Sequence, residues 1–236
     1  MTETVSDTKV ISAYSIKKIF KYSIDRGLSI SILNDIEIIQ AVIQDNSWCT
    51  PEVYNRFVKK VCEYFKCDVF TLGYNVNLCT NYDGIQVGIL RFLPITVSYK
   101  IITRFVQDTI NKNTIITLEK FDSKNKIIIV KTKVINKTLF SKEMCDYNKG
   151  FTVALLATKG YENLTVEEPE CLFKDNDCCY YIVKWESKTN VPFFKVIKEF
   201  VKLFLIKQNE IPDYVWKEVG NKPQSPDDLK ELYKNE

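Results

Sequence analysis

Apolar residues recur every three or four positions in the first half of the chain, which is the spacing of helices that bury one face. The pattern predicts helices over residues 13–26, 32–44 and 96–111, and a further helix that begins after Thr50. The polar stretch 75–83 predicts a loop. The residues predicted to face inward are Ile16, Ile19, Phe20, Ile24, Val53, Phe57, Val61, Phe65, Ile101, Ile102, Phe105 and Val106.

In the second half of the chain, the pattern of residues becomes that of β-strands. Residues 115–121 and 126–134 are rich in Ile, Val and Thr, and the turn-forming stretch 122–125 separates them. These segments therefore predict a β-hairpin. A short helix is predicted over 149–159, ending at Gly160.

Two further strands are predicted at 164–168 and 179–185. Every second residue of the later strand, starting from its first cysteine, points to one face of the sheet. A long amphipathic helix is predicted over 190–207 and a short one from Ser225. Helices, then antiparallel strands, then helices predict an α+β fold, an antiparallel sheet packed with helices.

Composition places the chain among ordinary globular proteins. It has 236 residues, of which 45% are apolar and 27% charged, and its net charge of +3 gives no case for nucleic-acid binding. No segment reads as a bilayer span or a signal peptide, so a cytoplasmic location without membrane attachment is expected. The predicted division is an N-terminal helical segment (1–80), the main α+β domain (81–208) and a tail with a short terminal helix (209–236).

The numbers of cysteines and histidines limit which kinds of catalytic or metal site the chain can form. The chain has eight cysteines and no histidine. In a reducing cytoplasm a cysteine group indicates metal binding before disulfides. The absence of histidine excludes Ser-His-Asp and Cys-His catalysis and His-ligated haem. The sequence also has no phosphate-binding or dinucleotide-binding motif. No enzyme activity is therefore expected. The cysteines interpreted as small buried hydrophobes are Cys49, Cys62, Cys67 and Cys79.

Four residues near the last strands have metal-ligand chemistry: Cys145, Glu168, Cys171 and Cys179. A hairpin between the two predicted strands brings Cys171 and Cys179 together, with Glu168 beside them. Three thiolates and one carboxylate complete a tetrahedral zinc shell, which is typical of a structural site. The alternative is a chance spacing of buried thiols and a surface carboxylate. Cys178 competes with Cys179 for the ligand position, since neighbouring strand residues face opposite ways.

Three segments carry a family resemblance: 144–150 (MCDYNKG), 166–171 (VEEPEC) and 179–185 (CYYIVKW). With them, the second half of the chain resembles the 4-vinyl-reductase-type sensory domain. That domain is related in fold to the vesicle-tethering (TRAPP) subunits and to the ligand-sensing domains of aromatic-responsive bacterial activators. Residues 45–52 resemble helical segments that precede such domains in bacterial signalling proteins.

The resemblance implies a zinc site at Cys145, Glu168, Cys171 and Cys179, and it selects Cys179 over Cys178. It also implies a homodimer that binds a small hydrophobic ligand and passes the signal to an output domain. We expect that output to lie in a separate signalling protein or in a longer system, because no kinase, cyclase, ATPase or DNA-binding signature closes the chain.

The sequence departs from the family at two places. Phenol-type sensors hold their ligand with a histidine and a tryptophan, whereas this chain has no histidine and no tryptophan between Trp48 and Trp185. The resemblance therefore does not imply that this chain recognises phenol. The turn before the last cysteine has Asn176-Asp177 in place of the family's Gly-Asp, a mild change because Asn tolerates turn geometry.

The function predicted from the sequence is a zinc-containing, small-molecule sensing module of the bacterial signal-transduction type. The alternative is a structural dimeric adaptor subunit without a ligand, and a third class is a zinc enzyme, which requires an open metal position. The broad apolar arc of residues 191–207 favours the homodimer. The N-terminal helices of the same chain are the other candidate cover for that arc.

Overall fold

A computed structural model of the chain describes residues 8–28, 35, 37–38, 47–78 and 93–189. The helices predicted over 190–207 and from Ser225 lie outside these residues, as does most of the helix predicted over 32–44. The predicted domain boundaries at 80 and 208 also lie outside them, so they stay predictions.

The described residues form an α+β fold, as the sequence predicted. None of the helices in the described part of the chain has the length and apolar character that a bilayer span requires. The helices are α1 (Ala13–Ile24), α2 (Pro51–Phe65), α3 (Val69–Leu78), α4 (Ile95–Phe105, continued by the π-helical turn Val106–Ile110) and α5 (Lys142–Thr158). The strands are β1 (Ile11–Ser12), β2 (Trp48–Cys49), β3 (Thr114–Asp122), β4 (Ile127–Val134), β5 (Tyr161–Glu162), β6 (Thr165–Glu170), β7 (Cys178–Lys184) and β8 (Ser187–Lys188).

The main sheet has four antiparallel strands in the order β3-β4-β7-β6, and β1-β2 and β5-β8 form two short pairs. Its central strands pair Val130 with Tyr181 and Thr132 with Cys179, and all four side chains are fully buried. Strand alternation therefore gives the sheet one buried face, which packs against α5. The β3–β4 hairpin and the alternation along β7 confirm two predictions from the sequence.

Both outer strands of this sheet are irregular. The pairing register shifts between Leu118 and Lys120 in β3, and between Glu167 and Glu170 in β6. A bulge of this kind re-aims the side chains around it. The irregularity in β6 matters for the site, because Glu168 lies within it.

Helices α3 and α5 cross at two glycines. A Cβ atom on Gly150 would lie 2.2 Å from Phe70 O and 2.7 Å from Tyr74 N, and a Cβ atom on Gly73 would lie 2.5 Å from Tyr147 O. These distances are too short for any carbon atom, so the two backbones approach this closely only because both positions are glycine. The crossing holds the polar end of α3 against α5.

Side-chain caps set where α2 and α5 begin. Thr50 Oγ1 accepts a hydrogen bond from the Val53 N–H at 3.4 Å, which confirms the predicted N-cap. Ser141 Oγ accepts from the Met144 N–H at 3.2 Å, so Ser141 is the N-cap and α5 starts at Lys142, not at the predicted position 149. The earlier start places Cys145 inside the helix.

Two other predictions are corrected by packing. Helix α3 runs to Leu78, into the stretch 75–83 that was predicted to be a loop, because its contacts with α5 outweigh the weak helix propensity of its asparagines. In α4, Ile102 is buried as predicted, but Ile101 is 47% exposed and does not face inward.

Candidate functional site

Four side chains with metal-ligand chemistry meet beside the buried face of the sheet. Cys145 comes from α5, Glu168 from β6, Cys171 from the residue after β6, and Cys179 from β7. Their ligand atoms all lie within 4.8 Å of one another. Cys145 Sγ is 3.2 Å from Glu168 Oε1, 3.4 Å from Cys179 Sγ and 3.8 Å from Cys171 Sγ. The structure thus brings together all four residues predicted from the sequence, hereafter the cysteine cluster.

The β6–β7 hairpin positions three members of the cluster. Glu168 lies in the β6 bulge, and Cys171 precedes a 3-10 turn that ends at Asp175, whose φ of 60° is left-handed. The turn returns the chain to Cys179, whose Sγ accepts a hydrogen bond from the Leu172 N–H at 3.4 Å. Such a bond from the backbone stabilises a thiolate.

Hydrogen bonds and burial shift the ionisation of the cluster. The hydrogen bond with Cys179 and burial raise the pKa of Cys145, and the same hydrogen bond lowers the pKa of Cys179. Burial raises the pKa of Cys171. Burial alone would raise the pKa of Glu168, but hydrogen bonds from Cys145 and Cys171 and the charge of Lys149 outweigh it and lower that pKa. The cluster therefore favours at least two anionic groups, which is the form in which thiols and carboxyls bind metal ions.

Cys178 is not a member of the cluster. Strand alternation turns its side chain to the opposite face of β7, where its Sγ lies 4.0 Å from Glu170 Oε2. The geometry therefore places Cys179, and not its neighbour, with the other three groups.

Sequence reasoning missed the groups that surround the cluster. Lys149 Nζ lies 3.2 Å from Glu168 Oε2, and Lys142 Nζ lies 4.0 Å from the same oxygen. The Tyr181 hydroxyl donates to the Cys145 carbonyl oxygen at 3.2 Å. The helical spacing of Lys142, Cys145 and Lys149 is the pattern that would have placed both lysines on the cluster side of α5.

An apolar cavity of about 100 Å³ lies between α1, α3, α4 and α5, hereafter the α5 cavity. No local pattern in the sequence predicts it, because its walls come from segments far apart in the chain. Its apolar lining side chains include Ile102, Phe105, Val106, Ile116, Phe151 and Leu155.

Asn77 organises the polar corner of this cavity. Its side chain is buried, and its Oδ1 accepts a hydrogen bond from Lys18 Nζ at 2.7 Å. Its Nδ2 donates to Gly73 O at 2.7 Å and to the Tyr147 hydroxyl at 3.3 Å. The buried amide therefore fixes an ammonium group and a hydroxyl group at the cavity wall.

The cysteines outside the cluster behave mostly as small hydrophobes. Cys49 and Cys62 are buried as predicted, and burial raises the pKa of each to about 12, whereas Cys67 is only half-buried. None of the cysteines in the described ranges forms a disulfide. Cys79 lies outside these ranges.

Comparison with known proteins gives no family assignment. No family model and no curated protein matches the chain. Solved H-NOX structures share part of the fold. One is from S. oneidensis in the Fe(II) ligation state, with 10% identity, a TM-score of 0.48, and coverage of 78% of this chain and 100% of that one. Another is the Fe(II) unliganded protein from K. algicida, with 8% identity, a TM-score of 0.47, and coverage of 78% and 100%.

A third is an oxygen-binding H-NOX domain related to soluble guanylate cyclases, with 13% identity, a TM-score of 0.44, and coverage of 77% and 98%. Likeness at this level assigns neither a family nor a function. No family model supports the resemblance to the 4-vinyl-reductase-type domain either.

Zinc as the cofactor is the prediction that these comparisons contradict. The S. oneidensis and K. algicida proteins are named with Fe(II), and none of the three is named with zinc. The physical reason for the error is that three thiolates and a carboxylate suit several thiophilic transition metals, so the spacing does not specify the ion. Iron held by histidine does not fit this chain, because it has no histidine.

Proposed function

We propose that the chain is a regulatory module that binds one small hydrophobic molecule in the α5 cavity and performs no catalysis. The observation that carries the proposal is that α5 serves both sites. It contributes Cys145 to the cysteine cluster, and Tyr147, Phe151 and Leu155 to the cavity. A ligand in the cavity therefore contacts the same helix that the cluster joins to the sheet. Ligand binding favours the position of α5 that contacts the ligand best.

The cysteine cluster is proposed as a structural site for one thiophilic metal ion. Four ligand groups fill a tetrahedral shell and leave no open position for a substrate. Because Cys145, Glu168 and Cys179 belong to α5, β6 and β7, an ion held by them joins the helix to the hairpin. Metal affinity at such a site contributes to the free energy of folding.

An adaptor subunit without a ligand is the function class that this proposal replaces. A completely filled interior would favour the adaptor, whereas a cavity with an apolar wall and a polar corner is typical of a ligand site. The homodimer was predicted from residues 191–207, which lie outside the described ranges, and the output protein was predicted from the family resemblance. Both stay predictions.

Filling the α5 cavity is expected to abolish ligand binding. Benzyl alcohol at a hundredfold excess over its dissociation constant should stabilise the wild-type chain by about 2.7 kcal/mol and raise its unfolding temperature by several degrees. Leu155→Phe should remove this rise, because the larger side chain occupies the cavity. Thermal unfolding followed by circular dichroism measures both.

The matched control is Leu139→Phe, which enlarges a buried leucine outside the cavity lining. It should lower the basal unfolding temperature and still show the rise with benzyl alcohol. A rise of equal size in Leu155→Phe, or none in the wild type, would contradict the proposed function.

Removing the lysine beside the carboxylate is expected to weaken metal binding. Lys149→Met deletes the ammonium group that holds Glu168 Oε2, so the metal affinity should fall roughly 10- to 100-fold, as is usual when a partner of a metal ligand is lost. Competition with a chromogenic chelator measures the affinity. Lys184→Met is the control, because Lys184 pairs with Glu167 at 2.6 Å on the exposed side of the same strands. Equal affinities for the two variants would show that Lys149 has no such role.

A further inference from the structure

The cysteine cluster brings three thiol groups into mutual contact. Cys145 Sγ lies 3.4 Å from Cys179 Sγ and 3.8 Å from Cys171 Sγ, and the distance between Cys171 Sγ and Cys179 Sγ is 3.9 Å. A disulfide bond needs a sulfur–sulfur distance of about 2.05 Å. Cys145 and Cys179 are therefore the pair whose sulfur atoms have the least distance to close, and a bond between them would join α5 to β7.

The cluster lies close to the surface even though its sulfur atoms are buried. Cys171 opens the turn 172–177, in which Phe173 is 46% exposed. Glu168 Oε1 lies 3.2 Å from Cys145 Sγ, while 10% of the Glu168 side chain is exposed. Glu168 thus reaches from the solvent to a sulfur atom of the cluster. A path this short suits a small oxidant such as hydrogen peroxide.

We propose that the cysteine cluster is a peroxide-responsive switch, in which Cys145 and Cys179 form a disulfide bond and the metal ion leaves. This inference rests on the proposed metal site and adds its regulation. Transient disulfides of this kind are the form in which cysteines sense oxidants in a reducing compartment.

The reaction has two steps. Cys179 Sγ attacks one oxygen of hydrogen peroxide, the O–O bond breaks, one oxygen leaves as water and the other stays on sulfur as a sulfenic acid. Cys145 Sγ then attacks that sulfur and displaces the second oxygen as water. In sum, the two cysteines lose two electrons, which reduce one peroxide to two waters. The two protons that complete these waters come from the thiols or, in the metal-bound chain, from the solvent.

The disulfide removes two of the four metal ligands. Cys171 and Glu168 remain, and two ligands do not complete the tetrahedral shell that holds the ion. The oxidised chain keeps a link between α5 and β7 through the disulfide, but β6 loses the link to α5 that the ion provides. A thiol reductant reverses the reaction by exchange, so the ion can bind again.

The test treats the full chain, purified in reductant and then freed of it, with hydrogen peroxide at about tenfold excess over protein. A metallochromic dye follows the released ion, and mass spectrometry of alkylated peptides locates the disulfide. We expect a Cys145–Cys179 disulfide to form in step with the release of about one ion per chain. Dithiothreitol followed by added ion should restore the metal-bound form.

Cys178→Ser is the control, because it removes the cysteine next to Cys179, whose thiol lies beside Glu170 on the opposite face of β7. This variant should form the same disulfide and release the same amount of ion. If its release is lost, the switch runs through Cys178 and the proposed pair is wrong.

The outcomes separate the switch from the metal site on which it rests. Release of the ion without a disulfide, a disulfide between other cysteines of the chain, or a treated chain that keeps its ion and its thiols overturns the switch and leaves the metal site in place. A chain purified without any ion overturns the metal site. The same treatment then still tests the cysteine pair, and the absence of a Cys145–Cys179 disulfide overturns that as well.

Discussion

The Cys171→Ser chain is expected to lose its bound metal and to unfold with a free energy lower than that of the wild type by about 3 kcal/mol or more. Wild type should carry about one transition-metal ion per chain, because the four groups of the cluster complete one tetrahedral shell. Serine removes one thiolate, and its hydroxyl is a poor ligand at neutral pH. Elemental analysis across the transition metals and urea unfolding give the two measurements.

Cys178→Ser is the matched control for this experiment. It makes the same substitution at a buried cysteine of the same hairpin, but on the face of β7 that points away from the cluster. It should keep the metal, with a smaller loss of stability. A Cys171→Ser chain that still holds one ion, or a wild type that folds and resists strong chelators without any metal, would remove the metal site from the proposal.

Gly150→Ala is expected to lower the free energy of unfolding by about 3 kcal/mol, the upper end of the usual cost of overpacking. The added Cβ atom meets the backbone atoms Phe70 O and Tyr74 N, which cannot rotate away as the end of a side chain can. Relief requires α3 to move away from α5, and this motion separates Asn77 from Tyr147. Denaturant unfolding measures the stability, and titration with benzyl alcohol should show weaker binding in the same variant.

Gly27→Ala gives the comparison. Its φ of +84° makes alanine strained there, but no atom lies within 4 Å of the new Cβ, so the cost should be about 1 kcal/mol and ligand binding should be unaffected. If the two variants lose stability equally, the close approach of α3 and α5 is not the source of the effect.

The cysteine cluster was predictable because most of its geometry is local. Glu168, Cys171 and Cys179 lie on one hairpin, and strand alternation shows that only one of the two adjacent cysteines faces the cluster. The family resemblance then selected Cys179. Cys145 was added to them because a third thiolate completes a tetrahedral shell, and the family resemblance implied the same set. Nothing in the pattern of residues 142–150 indicates which face of α5 meets the sheet. The identity of the ion was beyond the sequence, because the donor set admits several metals.

The α5 cavity was not predictable for the opposite reason. Lys18, Asn77 and Tyr147 are separated by about sixty and seventy residues, so no periodicity relates them. Their meeting depends on the crossing of α3 and α5 at Gly73 and Gly150, and a glycine within a helical pattern is usually taken as a weakness of the helix. The prediction of a loop at 75–83 followed the same local logic and missed the tertiary contacts that extend α3.

The two bulges in the outer strands bear on the solubility of the protein. An outer strand presents unpaired N–H and C=O groups, on which another copy can add a strand and begin to aggregate. Among the described strands, β3 and β6 are these edges, and both have shifted registers and charged residues at the shift. In β6 the irregular stretch also contains Pro169, which has no N–H to offer to an incoming strand. The bulge that aims Glu168 at the cluster therefore also protects this edge of the sheet from pairing with other copies of the chain.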